Sequence, residues 1–420
     1  MPHHEVDVAV VGAGAAGLGA AMTLAEKGLS YVALEARERP GGRAWTTTLA
    51  NGAVVDLGCG WLHSADKNPL VAIAGRQGRQ IDRSPPPWAR ADALIGPQRA
   101  RMAAFGDAMA RFRERVERRP VDLPDVALDA LLAPGEPFNA MIDAVSTWYS
   151  GAELHRISAA DLAAYENTGI NWRVRSGYGA VFAELARGLN IHYGCQVLAI
   201  DHSGAKLALE TARGTICARA AIVTLPSDVI AQTPDLFRPA LPEKTSAAAD
   251  LPLGLADKIY IELLAPEDVP EDSRTFGDID RRETGAYHLR PHGQPMIEGF
   301  FGGECAQALE RGGEGAAWDF ARGELVGLFG AGIAKKLRPL RFYGWRTDPW
   351  ARGAYSYARP GKAASRLALA AAVEERIFFA GEACSPRLFS TAHGAFETGR
   401  QAAHAIRQAA HAIVRRPGAR

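Results

Sequence analysis

The sequence predicts an α/β fold in which one domain, assembled from the beginning, middle and end of the chain, carries a second, α+β domain inserted in two pieces. Three observations predict it. The chain opens on an apolar strand, a glycine turn and a helix. A set of short strands returns near its middle, and an apolar strand followed by a long helix closes it. At 420 residues the chain is too long for one simple core.

The opening stretch "VDVAVVGAGAAGLGAAMTLAEKGLSYVALEA" reads as strand, turn, helix, strand. Its first strand is a continuous apolar run, as a parallel strand covered on both faces requires. The helix runs from about Ala15 to Glu26 and stops near Gly28, and the second strand ends at Glu35. From about Gly75 to Arg187 the pattern turns helical, in "GPQRARMAAFGDAMARFRERVERRP", "VALDALLA" and "EPFNAMIDAVSTWYSGAEL". "LNIHYGCQVLAIDHSGAKLALETARGTICARAAIVTLP" then reads as short strands and turns. From Thr245 to Leu340 come the strand "KIYIELL", a glycine-rich stretch "EGFFGGE" and a helix near "GAAWDFARGELVGLF". "RIFFAGEA" is a further apolar strand, and "STAHGAFETGRQAAHAIRQAAHAI" a long helix. Its "AAHAI" repeats every seven residues, two helical turns, which points His404 and His411 to solvent. The expected division is 1–75, 188–245 and 352–420 for the first domain, and 76–187 with 246–351 for the second.

Composition excludes several classes. Apolar residues make up 47% and charged residues 23%, and 48 basic residues nearly balance 47 acidic ones. Neither nucleic acid nor an anionic membrane is expected as a partner. Five scattered cysteines with no C-x-x-C pair argue against a metal site and a disulfide framework, and fit a reducing cytoplasm. No charged leader with a cleavage site precedes Val6, and no run of 18 apolar residues occurs, so neither a signal peptide nor a membrane span is expected.

Gly12-Ala-Gly14-Ala15-Ala16-Gly17 is G-x-G-x-x-G after a strand and opening a helix. Gly12 allows the tight turn, Gly14 admits a pyrophosphate to the backbone, and Gly17 lets helix and strand pack closely. The helix start adds free N–H groups and a favourable dipole. Glu35 stands 18 residues past Gly17, where a carboxylate accepts ribose hydroxyls, with Ala36 and Arg37 beside it. "ERPGGRAWT" then brings a second glycine turn, Gly41-Gly42, and the cation Arg43. "GLFGAGIAKK" follows a helical pattern and reads as a helix end and turn, so no second nucleotide motif is expected.

The extended motif resembles the FAD fingerprint of the glutathione-reductase-like flavoproteins, and more narrowly that of the flavin-containing amine oxidases. "DLGCGWLHSADKNPL", "LPLGLADKIYIEL", "WRTDPWARGAYSY" and "FAGEACSPRLFSTAHGAFETGRQAA" resemble that family's later blocks, in family order. The resemblance implies a Rossmann-like FAD-binding domain with an inserted substrate domain, the amine-oxidase architecture. It implies flavin contacts at Gly58, Cys59, Gly60, Trp61, Trp345, Gly381 and Glu382, and at the helix start Thr391-Ala392. It also implies backbone contacts to the adenine at Val197. Lys258, which alternation puts on one strand face with Tyr260 and Glu262, resembles the lysine that serves flavin N5 and assists reoxidation by dioxygen. His63 and Thr391 resemble positions that line the substrate chamber. For His63, substrate contact and a buried polar role stay open. His393 is expected to contribute backbone rather than a base.

Two tyrosines sit in "RGAYSYARPG". In a strand Tyr355 and Tyr357 would share a face. By the resemblance Tyr355 faces the chamber and Tyr357 is structural. Ala354 occupies the position where some relatives attach FAD through cysteine, so FAD is expected to be non-covalent. Thr391 replaces the second tyrosine of an aromatic cage, leaving half a cage and favouring an extended amine. The expected activity is oxidation of a primary or secondary amine, with dioxygen as acceptor and hydrogen peroxide as product. The rivals are an L-amino-acid oxidase, which needs a chamber arginine such as Arg90 or Arg175, a flavin dehydrogenase or desaturase, and a flavin-binding protein without turnover. The oligomer, monomer or homodimer, stays open.

Overall fold

The structure is a computed structural model that describes residues 4–120 and 122–414, with side chains described through residue 406. Its larger sheet has eight strands drawn from distant parts of the chain. His4–Val11 lies at its centre, parallel to Tyr31–Leu34 on one side and to Gly214–Val223 on the other. Ile191–His192 extends the first side, also parallel. The far edge of Gly214–Val223 is shared: Leu207–Thr211 pairs antiparallel along residues 214–218, and Ile377–Phe379 pairs parallel along 221–223. Val197–Asp201 and Phe237–Arg238 complete that flank. From Val8 to Val11 the central strand is apolar because both of its faces are covered: Ala9 and Val11 pack into one core cluster, Val8 and Val10 into another.

The first helix, Ala15–Glu26, and the last, Ala392–Val414, cover one face together. They approach to backbone contact. A Cβ on Gly19 would stand 2.4 Å from the Phe396 carbonyl oxygen, and one on Gly399 would stand 1.9 Å from that of Ala16.

The second sheet has five antiparallel strands in the order Ser273–Phe276, Ala286–Leu289, Met296–Gly302, Ala256–Leu263, Leu337–Tyr343. Alternation along Ala256–Leu263 decides its two faces. Ile259, Ile261 and Leu263 pack with Leu309, Ala317, Ala321 and Leu325 of the helix Gly303–Phe329. Lys258 and Tyr260 leave by the other face and both reach the main-chain carbonyl of Asp56, in the first part of the chain. A third cluster gathers Met102–Glu117 and Asn139–Ser150 around Phe105, Phe112, Met141 and Trp148, and Tyr357 is part of it.

Two local readings change, the helix over "VALDALLA" and the start of the helix near "GAAWDFARGELVGLF", while "GLFGAGIAKK" keeps its reading. "VALDALLA" forms only the 3-10 turn Leu128–Leu131, ended before the Pro134-Gly135 pair. "EGFFGG" is a strand, because its glycines admit neighbours: a Cβ on Gly299 would meet Ile259 at 2.7 Å, and one on Gly302 would meet the Thr147 carbonyl oxygen at 2.1 Å. The following helix begins at Gly303 and is broken at Gly313, whose φ is 77°. "GLFGAGIAKK" is a helix end followed by the 3-10 turn Ala331–Lys336. His404 is exposed, whereas the side chain of His411 lies outside the described residues. The short helix Gly179–Leu185 packs on Leu18 and Phe396 of the dinucleotide side through Val181 and Phe182. We therefore propose the domain limit there some residues before 187.

Candidate active site

The glycine turn is built as the motif requires. Gly12 has φ 100°, and a Cβ on Gly17 would stand 2.0 Å from the Gly12 carbonyl oxygen, so strand and helix pack without one. The second glycine turn lies against the first: the Gly41 N–H donates to the Ala13 carbonyl at 2.8 Å. A Cβ on Gly42 would approach the Gly14 Cα to 3.3 Å. Two backbones therefore face each other with no side chain between them, at the free start of a helix. That is a cradle for a diphosphate. Ala15 and Ala16 begin the helix behind it.

Glu35 is buried at the end of the second strand. One carboxylate oxygen accepts from the Ala13 N–H at 2.7 Å and the other from the Arg37 N–H at 2.9 Å. Each oxygen keeps a lone pair for a further donor. Ala36 lies between them, and the Arg37 side chain turns away to Asp348 at 2.6 Å, which also accepts from Tyr343. Val197 is buried, and its ladder with Thr211 is interrupted by a register shift before Ala199.

Arg43 pairs with Glu382 at 3.0 Å and donates to the Ala354 carbonyl at 2.6 Å. Glu382 also accepts from Ser356 Oγ at 2.7 Å and from the Ser390 N–H at 2.9 Å. Burial pushes its carboxyl up, but Arg43, Ser356 and Arg366 outweigh it and hold the group below the usual carboxylate range. A space of about 300 Å³ opens beside this pair, lined by Thr224, Gly381 and Glu382.

The last helix starts at Ala392 with Thr391 as its cap. The Thr391 hydroxyl accepts from the Gly394 N–H at 3.0 Å and donates to the Leu388 carbonyl at 2.6 Å. Thr391 is buried and its hydroxyl is committed to the cap. His393, at the same helix start, is buried and its Nε2 has no partner. Burial, reinforced by His63 nearby, pushes its pKa down to about 4. His63 Nδ1 lies 2.7 Å from Asn171 Oδ1, and burial outweighs that contact to lower its pKa as well.

Lys258 is almost fully enclosed. Its ammonium donates to the Asp56 carbonyl at 2.9 Å and pairs with Glu298 at 2.9 Å. It also stands 3.5 Å from where a Cβ on Gly60 would lie. The Asp56 carboxylate in turn accepts from the Tyr178 and Gly179 N–H groups at 2.8 and 3.1 Å, which fixes the segment before Gly58. A Cβ on Gly58 would stand 1.7 Å from the Arg43 carbonyl oxygen, and the Cys59 thiol is pushed up to about 12, chiefly by burial. Trp345 is buried, with its indole N–H on the Leu57 carbonyl at 3.1 Å. Trp61 meets Trp88 edge to face at 4.4 Å, with the Arg173 guanidinium 4.9 Å from its ring.

A cleft of about 490 Å³ reaches Lys258 and Glu298 past Gly60, Trp61, Arg173 and His292. Tyr355 stands away from it. Its segment is not a strand: only Ser356 forms a bridge, to Leu253, so alternation does not govern the two tyrosines. The Tyr355 hydroxyl donates to the Trp148 carbonyl, and burial raises its pKa well above the ordinary phenol value.

Sequence reasoning missed Ser356, Arg366 and Asp161, which support Glu382, and Glu298, which holds Lys258. Ser356 lies inside "WRTDPWARGAYSY", but it too meets its partner across the fold, as the other three do. Among the described residues no cluster of His, Cys, Asp and Glu is placed to hold a metal, and no helix is long and apolar enough to cross a membrane.

A family profile described as flavin containing amine oxidoreductase matches residues 89–407, and one described as NAD(P)-binding Rossmann-like domain matches residues 10–74. The chain is 29% identical to polyamine oxidase 2 of Arabidopsis thaliana over 96% of this chain and 88% of that one. It is 27% identical to lysine-specific histone demethylase 1 homolog 2 of the same plant, over 95% of this chain but 58% of that one. A solved structure of putrescine oxidase bound to putrescine superposes with a TM-score of 0.75 at 20% identity, covering 99% of this chain and all of the other. That likeness establishes the amine-oxidase fold.

Proposed function

The chain belongs to the flavin-containing amine oxidoreductase family, whose cofactor is FAD, and from that premise we propose that it oxidises an extended primary or secondary amine, with dioxygen as the final acceptor. The observation that carries this reading is Lys258, buried on the cleft wall with Gly60 and held there by the Asp56 carbonyl and Glu298. The residues present fit FAD: two side-chain-free backbones face each other where the diphosphate belongs, and His393 Nε2 is an orphaned buried atom at the helix start.

FAD, when bound, supplies a hydride acceptor for the amine's α-carbon and returns the electrons to dioxygen. The chain's own residues hold and orient. Gly14, Gly42 and Arg43 would receive the diphosphate, with Gly12 and Gly17 shaping the turn behind it, Glu35 the ribose, and Glu382 the sugar alcohol. Helix N–H groups at Ala392 and His393 favour negative charge beside them. Lys258 offers a fixed ammonium hydrogen on the chamber side of Gly60, and Trp61 walls the cleft there and excludes water; Tyr355, which lies outside that wall, would orient the amine from the C-terminal segment. Ala354 leaves no thiol for a covalent link, so the cofactor is held without one. The resulting imine hydrolyses to an aldehyde. The names of the polyamine oxidase relatives support an extended amine.

Anaerobic mixing of the yellow protein with a panel of di- and polyamines, arylalkylamines and amino acids tests the proposal. Bleaching of the flavin band by amines is the expected result, and no bleaching by any amine overturns it. A second reading, an amino-acid oxidase, draws on Arg173 and Arg175 in the cleft wall. Arg175 is nearly half exposed and its ion pair with Asp82 is long, at 3.6 Å, which leaves it capacity for a carboxylate. Arg90 is turned instead to the Asp272 carbonyl. Faster bleaching by amino acids than by simple amines would favour that reading.

A further inference from the structure

The face of the five-stranded sheet that carries Lys258 has another cation at its far edge. Directly opposed residues run across that face in one row: Lys258, Phe300, Ala286 and Phe276. The row crosses three strand spacings, about 14 Å. Phe300 and Ala286 are only partly buried, so the middle of the row is an apolar floor with a small residue in it. Arg274 stands two residues before Phe276 on the last strand, and therefore on the same face. Its guanidinium carbon lies 5.2 Å from the centre of the Phe276 ring.

Arg274 is half-buried and has no partner among the described residues: its Nε is buried and unbonded, and no carboxylate stands near its guanidinium. Arg90, Arg290, Arg346 and Arg400 also have a buried, unbonded Nε, but each pairs another guanidinium nitrogen with an oxygen. His288, directly opposite Arg274, is turned to Asp272, with Nε2 3.0 Å from Oδ1. Burial lowers the Arg274 pKa, and the nearby group that acts the other way is the Tyr149 phenol. A partly desolvated guanidinium with no counter-ion is unfavourable in the fold, and an anionic ligand relieves it.

The neighbours of Arg274 lead back to Tyr355. Phe276 stacks on Trp148 with ring centres 5.5 Å apart, and the Trp148 carbonyl accepts from the Tyr355 hydroxyl. Trp148 Nε1 is a second buried donor with no partner. Tyr149, next on the same helix, is exposed, and its phenol stands close enough to act on Arg274, Tyr165 and Tyr355 alike.

We propose that Arg274 binds the anionic end of the substrate, so that the amine oxidised is an extended one bearing a carboxylate remote from its nitrogen. The proposal rests on the amine-oxidase reading and names the substrate class within it. With the amine at the Lys258 end of the row, the spacer crosses Phe300 and Ala286, and the carboxylate meets a guanidinium fork that can donate to both of its oxygens. A second ammonium in the same place would meet a like charge with no carboxylate to offset it. An α-amino acid carries its carboxylate beside its nitrogen and cannot span the row.

The test mixes the holoenzyme anaerobically with straight-chain amines of matched length, ending in a methyl group, a carboxylate or a second ammonium, over a series of lengths. The amine ending in a carboxylate is expected to half-saturate flavin reduction at a concentration about ten-fold below that of the plain amine, the effect of one charge-assisted hydrogen bond. The diamine is expected to need more than the plain amine. Arg274→Gln is expected to erase the preference for the carboxylate. No such preference in the parent, a preference for the diamine or for α-amino acids, or an undiminished preference in the variant overturns the proposal. If Arg274→Gln does not fold, Arg274→Met takes its place with the same outcomes. A second readout needs no turnover: calorimetric binding of the straight-chain carboxylate that lacks the amine to the oxidised holoenzyme. Its affinity is expected to fall about ten-fold in the variant. Equal affinities, or no binding to the parent, overturn the site. Failure of every amine to bleach the flavin would remove the proposed function, and the binding difference would still decide for or against an anion site at Arg274.

Discussion

Ser356 Oγ donates to Glu382 Oε2 at 2.7 Å, which ties the segment carrying Tyr355 to the glutamate proposed to meet the cofactor's sugar. The tie continues in both directions. Arg366 donates to Ser356 Oγ at 2.9 Å and to Asp161 through two bonds, at 2.6 and 2.8 Å, while Glu382 holds Arg43. Tyr355 and the phosphate side of the cradle are thus parts of one buried polar network rather than separate motifs.

Arg366 is the keystone of that network and has no accessible surface. Its ring neighbour is Phe389, 3.8 Å from the guanidinium. Removing one partner of a buried pair leaves the other charge unpaired, which costs about 3–5 kcal/mol. Arg366→Ala is therefore expected to lose about that much stability in urea denaturation, and to release FAD more readily. A change under about 1 kcal/mol would falsify the network's structural role.

Two glycine substitutions separate fold from cofactor. A Cβ at residue 17 would stand 2.0 Å from a carbonyl oxygen, too close for any relaxation that keeps strand and helix together. Gly17→Ala is expected to destabilise the FAD-free protein itself. At Gly14 the nearest atom to a Cβ is the Gly42 Cα at 4.0 Å, an ordinary contact. Gly14→Ala is expected to keep the stability of the FAD-free protein and still bind FAD poorly, because the methyl occupies the cradle. The ratio of flavin to protein absorbance, beside thermal melts with and without FAD, reads both outcomes.

This contrast marks what the sequence makes legible. The strand, turn and helix around Gly12 to Gly17 follow from local pattern, and the alternation of Ala256–Leu263 is enough to put Lys258 and Tyr260 on one face. What holds Lys258 is not local: Asp56 offers its main-chain oxygen and Glu298 arrives through strand register. Arg366 sits in "SRLALA", a run that looks like any helix end. Its role depends on Asp161, brought from 205 residues away. In "EGFFGG" the glycine pattern leaves the element open, and packing decides it: the glycines make room for Ile259 and Thr147, and the stretch forms a strand up to Gly302.

His393 predicts a pH dependence. Burial, with His63 beside it, lowers its pKa from 6.5 to about 4 in the fold. Below pH 6.5 the unfolded chain binds a proton that the folded chain refuses, so stability falls as pH falls from about 6.5 to about 4. The full shift corresponds to about 3 kcal/mol. Replacing His393 with Asn is expected to flatten the stability of the FAD-free protein across that window, while leaving its slope above pH 7 unchanged. Urea midpoints at pH 4.5, 5.5 and 7.5 measure it. Equal slopes in parent and variant would place the titration elsewhere.

Tyr355→Phe asks whether the tyrosine proposed to orient the amine acts through its ring or its hydroxyl. The hydroxyl donates to the Trp148 carbonyl, on the helix Asn139–Ser150, so it is a tether between the C-terminal segment and the helical cluster. Losing one such bond while keeping the ring costs about 1 kcal/mol. Flavin retention is not expected to depend on this bond, since the segment is fixed independently through Ser356 and Glu382. The variant is expected to keep its full flavin content, to melt slightly lower, and to reduce its flavin more slowly with amine because the ring is held less firmly. Tyr355→Ala, which removes the ring, is expected to slow that step much further at similar flavin content. Stopped-flow reduction with the best amine of the panel separates the two. Equal rates in both variants would show that the hydroxyl, not the ring, orients the amine, and loss of flavin in either would mark Tyr355 as scaffold for the cofactor.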